Sequence, residues 1–212
     1  MARLADVTTW VFDLDHTLYP ADMRLFDQIS ARMNDWISQA LNVSAEHASH
    51  LRQHYWETYG ATLAGLMREH QIDPDPYLRD VHDIDFTVLD PDPALRSAIR
   101  GLKGRKVIFT NGPSDYAEKV ISALDLTDTF DAIYGVEEAD LHLKPAPKAY
   151  DAVFAKAQLE PARAAMIEDA AHNLVVPHQK GLATVLVAPT PEPQDHIHHH
   201  TDDLTRFLNL LH

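Results

Sequence analysis

The chain contains no cysteine. Disulfides, thiolate nucleophiles and cysteine-bound zinc are therefore excluded together, and a cytoplasmic setting suits such a sequence. Nowhere do about 18 apolar residues run together, so no membrane-spanning helix is expected. The first residues lead into a polar and charged stretch without a long apolar core, so no signal peptide is expected either. Basic residues are scarce: 18 Lys and Arg stand against 32 Asp and Glu, a formal charge of −14. A surface of that sign repels polyanions, which argues against a nucleic-acid polymer or an acidic membrane as partner. A small anionic ligand remains compatible, because a metal ion and a few basic groups reverse the potential locally.

Apolar residues make up 45 % of the 212 residues, with three Trp and seven each of Phe and Tyr. That supports an ordinary buried core, in one large domain or in a core with a smaller appended unit. The β-branched and aromatic segment Thr8 to Leu14 reads as a buried strand that stops at acidic residues. Similar short runs recur at Lys106 to Phe109, Ala132 to Tyr134, Ala164 to Ile167 and Thr184 to Val187. Helical patterns lie between the later ones, at Tyr116 to Leu124 and Ala149 to Ala157. This alternation predicts an α/β fold, a Rossmann-like parallel sheet covered on both faces. A further helix over Ala171 to Lys180 contains Pro177, which kinks it or shifts its start, and Gly181 closes it.

Between the first two strands the rhythm breaks for roughly ninety residues, too long for a simple crossover. Ile29, Met33, Trp36, Ile37 and Ala40 fall at helical spacing there, Ser44 is placed to cap a second helix, and Gly60 punctuates before Thr62 to His70. Asp73-Pro74-Asp75-Pro76 reads as a turn and Asp90-Pro91-Asp92-Pro93 as a hinge back to the core. The expected organisation is therefore a core over 1–20 and 89–212 with an all-helical insert over 21–88.

In an open parallel sheet, ligands bind beyond the carboxyl ends of the strands. Those ends carry Asp13 and Asp15, then Thr110 and Asn111, and finally Glu168 and Asp169, while Lys144 precedes a later helix. Each has an ordinary explanation when taken alone: a cap or turn for the aspartates, a solvated lysine, a complement to a helix dipole for Glu168-Asp169. Their order and placement give them weight together. Crowded carboxylates repel, and a hard divalent cation relieves the repulsion, usually magnesium when phosphate is the other partner. Lys144 and the Thr110 hydroxyl would then serve the phosphoryl oxygens. Asp13 and Asp15, two apart on an extended chain, could divide attack and protonation of the leaving oxygen between them.

The run Asp13-Leu14-Asp15-His16-Thr17, with Thr110-Asn111, Lys144-Pro145 and Glu168-Asp169, resembles the four motifs of the haloacid dehalogenase superfamily. The resemblance covers nearly the whole chain. It implies a phosphatase in which Asp13 attacks phosphorus to form an aspartyl-phosphate and Asp15 acts first as acid, then as base. It further implies that Thr110, Asn111 and Lys144 bind the phosphoryl group, and that Mg2+ sits on Asp13, the Asp15 carbonyl and Asp169, with Glu168 close by. Asn173 falls where many relatives have an acidic residue. An Asp at position 15 favours phosphate ester cleavage over halide release, which needs no acid there.

The helical insert occupies the place of the family's cap, which closes over the site and carries specificity. Its stretch Tyr55-Trp56-Glu57-Thr58-Tyr59-Gly60 resembles the cap of pyrimidine 5′-nucleotidases, as does the opening Phe12 to Pro20. That implies UMP or CMP as substrate, in a monomer or homodimer, with Tyr55, Trp56 and Tyr59 able to stack on a base or simply to pack the insert. Other small phosphorylated metabolites, such as phosphoglycolate or a sugar phosphate, and a phosphomutase are the nearest alternatives. A receiver-like domain or an idle phosphate-binding module is the alternative outside enzymes. His196-Ile197-His198-His199-His200 reads as an exposed loop before an amphipathic helix capped by Thr201. His47, His50 and His54 read as a solvated face.

Overall fold

The computed structural model describes residues 4–191 and 193–211; positions 1–3, 192 and 212 of the expected core range lie outside them. The first strand, β1 (Thr9–Phe12), is buried along its whole length. It is followed by four helices, α1 (Leu25–Leu41), α2 (Ala45–Tyr59), α3 (Thr62–His70) and α4 (Pro74–Val81). Then come α5 (Pro93–Gly101), β2 (Arg105–Phe109), α6 (Ser114–Ala123), β3 (Ala132–Tyr134) and α7 (Pro147–Lys156). The chain ends with β4 (Ala164–Glu168), α8 (Val175–Lys180), β5 (Ala183–Val187), β6 (His199–Thr201) and α9 (Leu204–Asn209).

All strand pairs are parallel, in the order β3-β2-β1-β4-β5-β6. Side chains alternate across the sheet, as the two-residue strand period demands. Trp10, Phe12, Ile108, Ile167 and Val185 enter a core shared with α5, α6 and α9 and with the helices between β1 and β2. Val11, Val107, Phe109, Met166 and Leu186 enter a second core under α7 and α8. The central position of β1 places its carboxyl end between two neighbours. Phe12 pairs with Ile108 on one side and Ile167 on the other. The residues just beyond these pairs are Asp13, Phe109 and Glu168, with Thr110 next after Phe109, so register gathers three candidate groups at one edge.

The five expected strands are present, and the expected helical pieces between the first two are there with their caps. Ser44 accepts from the His47 N–H, and Gly60 ends α2 with φ 80°. Pro177 falls in the first turn of α8, after a 3-10 turn over Ala171–Leu174, so it shifts the helix start as one of the two expected outcomes. His47, His50 and His54 are exposed.

Three local expectations are corrected. Asp73 opens a helix where a turn was expected: its side chain accepts a backbone N–H, with proline in the first turn, and Asp92 caps α5 in the same way within the Asp90–Pro93 stretch. The histidine run is not an exposed loop. It forms the half-buried edge strand β6 and its approach, with His196 Nε2 at 2.9 Å from the Ala171 carbonyl and His200 Nε2 at 2.7 Å from the Ala188 carbonyl. Alternating histidines fit an edge strand because the rings cover apolar surface while their nitrogens reach backbone oxygens. The cap of α9 is Asp203, whose carboxylate accepts the Arg206 N–H at 2.8 Å; Thr201 accepts instead from the Asp203 N–H.

Gly60 joins the helical segment to the core loop. A Cβ there would lie 2.1 Å from Cδ of Pro145, at a φ of 80° that favours glycine. Gly181 has a φ of 97° but open space around it. Gly60→Ala should therefore destabilise the protein by about 2–3 kcal/mol and Gly181→Ala by only about 1 kcal/mol. Chemical denaturation of both variants checks this; equal losses would contradict the close approach.

Candidate active site

A fully buried charge at the centre of the site is the Lys144 ammonium. Its side chain is 1 % exposed, and it donates to Asp13 Oδ1 at 2.6 Å, Glu168 Oε2 at 2.7 Å and the Phe109 carbonyl at 3.0 Å. All three of its donors are used. The side chain of Asn111 grips the Lys144 backbone: Oδ1 accepts the Lys144 N–H at 2.7 Å and Nδ2 donates to the Lys144 carbonyl at 3.0 Å. Asn111 thus positions the lysine, and its amide is committed to that. Thr110 is fully buried, and its hydroxyl accepts the Gly112 N–H at 3.0 Å, which leaves its proton available to a ligand.

Asp13 and Glu168 are buried carboxylates sharing one cation. Burial pushes Asp13 up to about 7, Glu168 adds to the effect, and Lys144 opposes it. Burial likewise pushes Glu168 up to about 7 against the pull of Lys144. Burial acts to lower the Lys144 ammonium, but the charges of Asp13 and Glu168 outweigh it and hold the ammonium above its ordinary range. The second oxygen of Asp13 accepts from the Thr17 hydroxyl at 3.1 Å.

Asp15 sits at the edge of this cluster. Its Oδ1 accepts from the hydroxyls of Tyr19 and Tyr116, the latter at 2.5 Å. Burial, together with the neighbouring Asp15 charge, pushes both phenols far up, so they remain donors. Tyr116 in turn packs against His82, just past α4, with ring centroids 4.6 Å apart and the rings tilted by 46°. Asp169 is partly exposed and its carboxylate lies 3.7 Å from His16 Nδ1, and this neighbouring carboxylate raises the His16 imidazole.

Asp13, Glu168 and Asp169 each offer a carboxylate oxygen, and these atoms lie within 4.8 Å of one another. An all-oxygen donor set of this kind fits a hard divalent cation. Asn173 is buried nearby, and its Oδ1 has no partner among the described residues.

A cavity of about 330 Å³ opens above these residues. Its floor includes Asp13, Asp15, Thr110, Lys144 and Asp169, and its other wall comes from the helical segment, with Phe26, Arg52, Trp56, Tyr77 and His82. Of the three aromatics singled out in α2, Trp56 lines the cavity, 52 % exposed and edge-on to His172. Tyr55 is buried within the helical segment with its hydroxyl 2.6 Å from His70 Nε2, and the Tyr59 hydroxyl donates to Glu69. Neither lines the cavity. Sequence reading missed Thr17 and Tyr19, although each follows its aspartate by four residues. It also missed Arg52, Tyr77 and Tyr116, which have no local signal.

The raised Asp13 predicts a pH effect in chelator-treated protein. An aspartate whose folded pKa lies above its unfolded value of 3.8 is protonated longer in the folded state, so its contribution to stability falls as pH rises through that window. Asp13→Asn removes this penalty. The stability of the variant relative to the parent should therefore rise between about pH 4 and about pH 7 and level off above that, measured by thermal unfolding. A difference independent of pH would contradict the assignment.

Comparison with known proteins adds an independent line. Residues 7–175, well over half the chain, match the model of haloacid dehalogenase-like hydrolases. Among curated proteins, the chain is 26 % identical over 155 residues to phosphate metabolism protein 8 of Saccharomyces cerevisiae, covering 66 % of this chain and 48 % of that one. It is 27 % identical over 106 residues to hexitol phosphatase B of Escherichia coli, covering 49 % and 47 %. The chain thus spans about half the length of these curated relatives. A magnesium-bound HAD-hydrolase of Bacillus subtilis, YfnB, shares the fold with a TM-score of 0.60 at 18 % identity, over 97 % of this chain and 98 % of that one. With the motif residues gathered at one sheet edge and the family match extending over most of the sheet, the chain belongs to the haloacid dehalogenase-like hydrolases.

Proposed function

We propose that this protein is a magnesium-dependent phosphomonoesterase acting through a phosphorylated Asp13. The observation that carries the reading is the pairing of Asp13, anchored by Lys144 at 2.6 Å, with Asp15 two residues further on, both on one cavity floor. The phosphatase names of relatives and the magnesium in the Bacillus subtilis structure agree with it.

In this mechanism a carboxylate oxygen of Asp13 attacks phosphorus and forms a new O–P bond while the bond to the leaving oxygen breaks. Asp15 gives that oxygen its proton. Its Oδ1 is held by the two tyrosines and its Oδ2 receives no hydrogen bond from the described residues, so Oδ2 is the atom free to work. In the second half, Asp15 takes a proton from a water that attacks phosphorus, and phosphate leaves Asp13 restored. The Thr110 hydroxyl donates to a phosphoryl oxygen, and Lys144 keeps Asp13 oriented. Mg2+, held by Asp13, Glu168 and Asp169, would neutralise charge on the phosphoryl group.

We read the four helices over residues 25–81 as a cap and the substrate as a pyrimidine nucleoside 5′-monophosphate. Support comes from the sequence resemblance in α2 and from Trp56 on the cavity wall beside apolar Phe26, Met33 and Leu63. A sugar phosphate is the second reading, favoured by the relative named as a hexitol phosphatase.

Asp13→Asn should leave almost no turnover, and Asp15→Asn should lower it by at least about a hundredfold. Unchanged turnover in the Asp15 variant would remove that residue as the acid. A panel of phosphate monoesters with magnesium tests the substrate. UMP and CMP should give the highest kcat/KM; if sugar phosphates or phosphoglycolate match them, the nucleotide reading fails and the phosphatase reading stands.

A further inference from the structure

The cavity contains a second polar group of residues that the chemistry at Asp13 leaves unused. Tyr77 of α4 is 1 % exposed, and its hydroxyl is buried without a hydrogen-bond partner among the described residues. Buried tyrosine hydroxyls are normally satisfied. The ring is fixed edge-on against Trp36, with centroids 5.1 Å apart, so the hydroxyl cannot readily swing out to water.

Arg52 of α2 lines the same cavity and is half-buried. Its Nε donates to Asn34 Oδ1 at 2.9 Å, and among the described residues no carboxylate lies within ion-pair distance of it. A fully exposed arginine needs no counter-charge, but a half-buried one facing a cavity gives up part of its hydration. In a chain with 32 acidic residues, the lack of a counter-charge here leaves the guanidinium open to a ligand. Both residues line the one cavity, Arg52 from α2 and Tyr77 from α4.

We propose that Arg52 and Tyr77 form the specificity site of this cavity and bind an acceptor oxygen on the leaving group of the substrate. A guanidinium only donates hydrogen bonds, and the phenol has a proton to give, so the matching group is one that only accepts. A ring carbonyl and a carboxylate both qualify. In a pyrimidine nucleotide the group is the C2 carbonyl, which uracil and cytosine share. The inference rests on the phosphomonoesterase reading of the same site.

The test uses Tyr77→Phe and Arg52→Met with three esters: UMP, 2-phosphoglycolate, and phenyl phosphate, whose leaving group carries no carbonyl or carboxylate. Tyr77→Phe keeps the ring packing and removes an unpaired hydroxyl, so its melting temperature should not fall. Each variant should lower kcat/KM for an acceptor-bearing ester, relative to phenyl phosphate, by roughly tenfold. A loss confined to UMP identifies a ring carbonyl, and one confined to phosphoglycolate a carboxylate. Unchanged ratios for both esters in both variants would overturn the inference. If the parent protein hydrolyses none of the three esters, the phosphatase reading fails separately. Calorimetric binding of UMP and phosphoglycolate to Asp13→Asn, with and without Tyr77→Phe, then decides. Weaker binding with the second substitution sustains the proposal, and equal or absent binding overturns it.

Discussion

One ammonium group, Lys144 Nζ, organises this molecule's polar centre. It lies beneath the surface between two carboxylates that burial alone would neutralise. Removing a partner from such a buried cluster leaves an uncompensated charge, which costs about 3–5 kcal/mol. The surrounding structure keeps the cluster intact. Asn111 fixes the lysine backbone from the end of β2, Phe109 gives it a carbonyl, and β1 and β4 deliver Asp13 and Glu168 in adjacent registers. The parallel sheet is thus the device that turns residues far apart in the chain into one charged cluster.

The helical segment depends on the same centre. Gly60 lies against Pro145, next to the lysine, and Tyr116 links His82 to Asp15 through a ring contact and a hydrogen bond. The wall that meets a leaving group and the floor that meets phosphate are therefore in contact at two places. In a working phosphatase, such contacts would tie the arrival of substrate to the placement of Asp15.

Much of this was legible in the sequence, for definite reasons. Short β-branched runs announced the five long-recognised strands, and polar residues at their ends fell where ligands bind in any open parallel sheet. Asp13, Thr110, Glu168 and Asp169 were placed by that logic and Lys144 by its position before a later helix, and all five line one cavity. What escaped depends on distant pairing. Asp-Pro at residues 73 and 92 serves turns and helix starts alike, and only the packing of α4 and α5 chooses between them. The histidine run becomes a strand because Thr184 and the carbonyls of Ala171 and Ala188 receive its side chains. Tyr55 and Tyr59 resemble Trp56 along the helix, yet of these three only Trp56 reaches the cavity, and Arg52 and Tyr77 line it from separate helices. No spacing along one helix encodes such a meeting.

The central claim is that Asp13 carries the phosphoryl group between the two half-reactions. The direct measurement is a rapid acid quench of the protein turning over UMP or phenyl phosphate with magnesium, followed by peptide mass spectrometry. One phosphoryl group should appear on the peptide containing Asp13, at that residue, and be absent from Asp13→Asn. Turnover with no phosphorylated residue, or with the phosphoryl group on another side chain, would contradict the account.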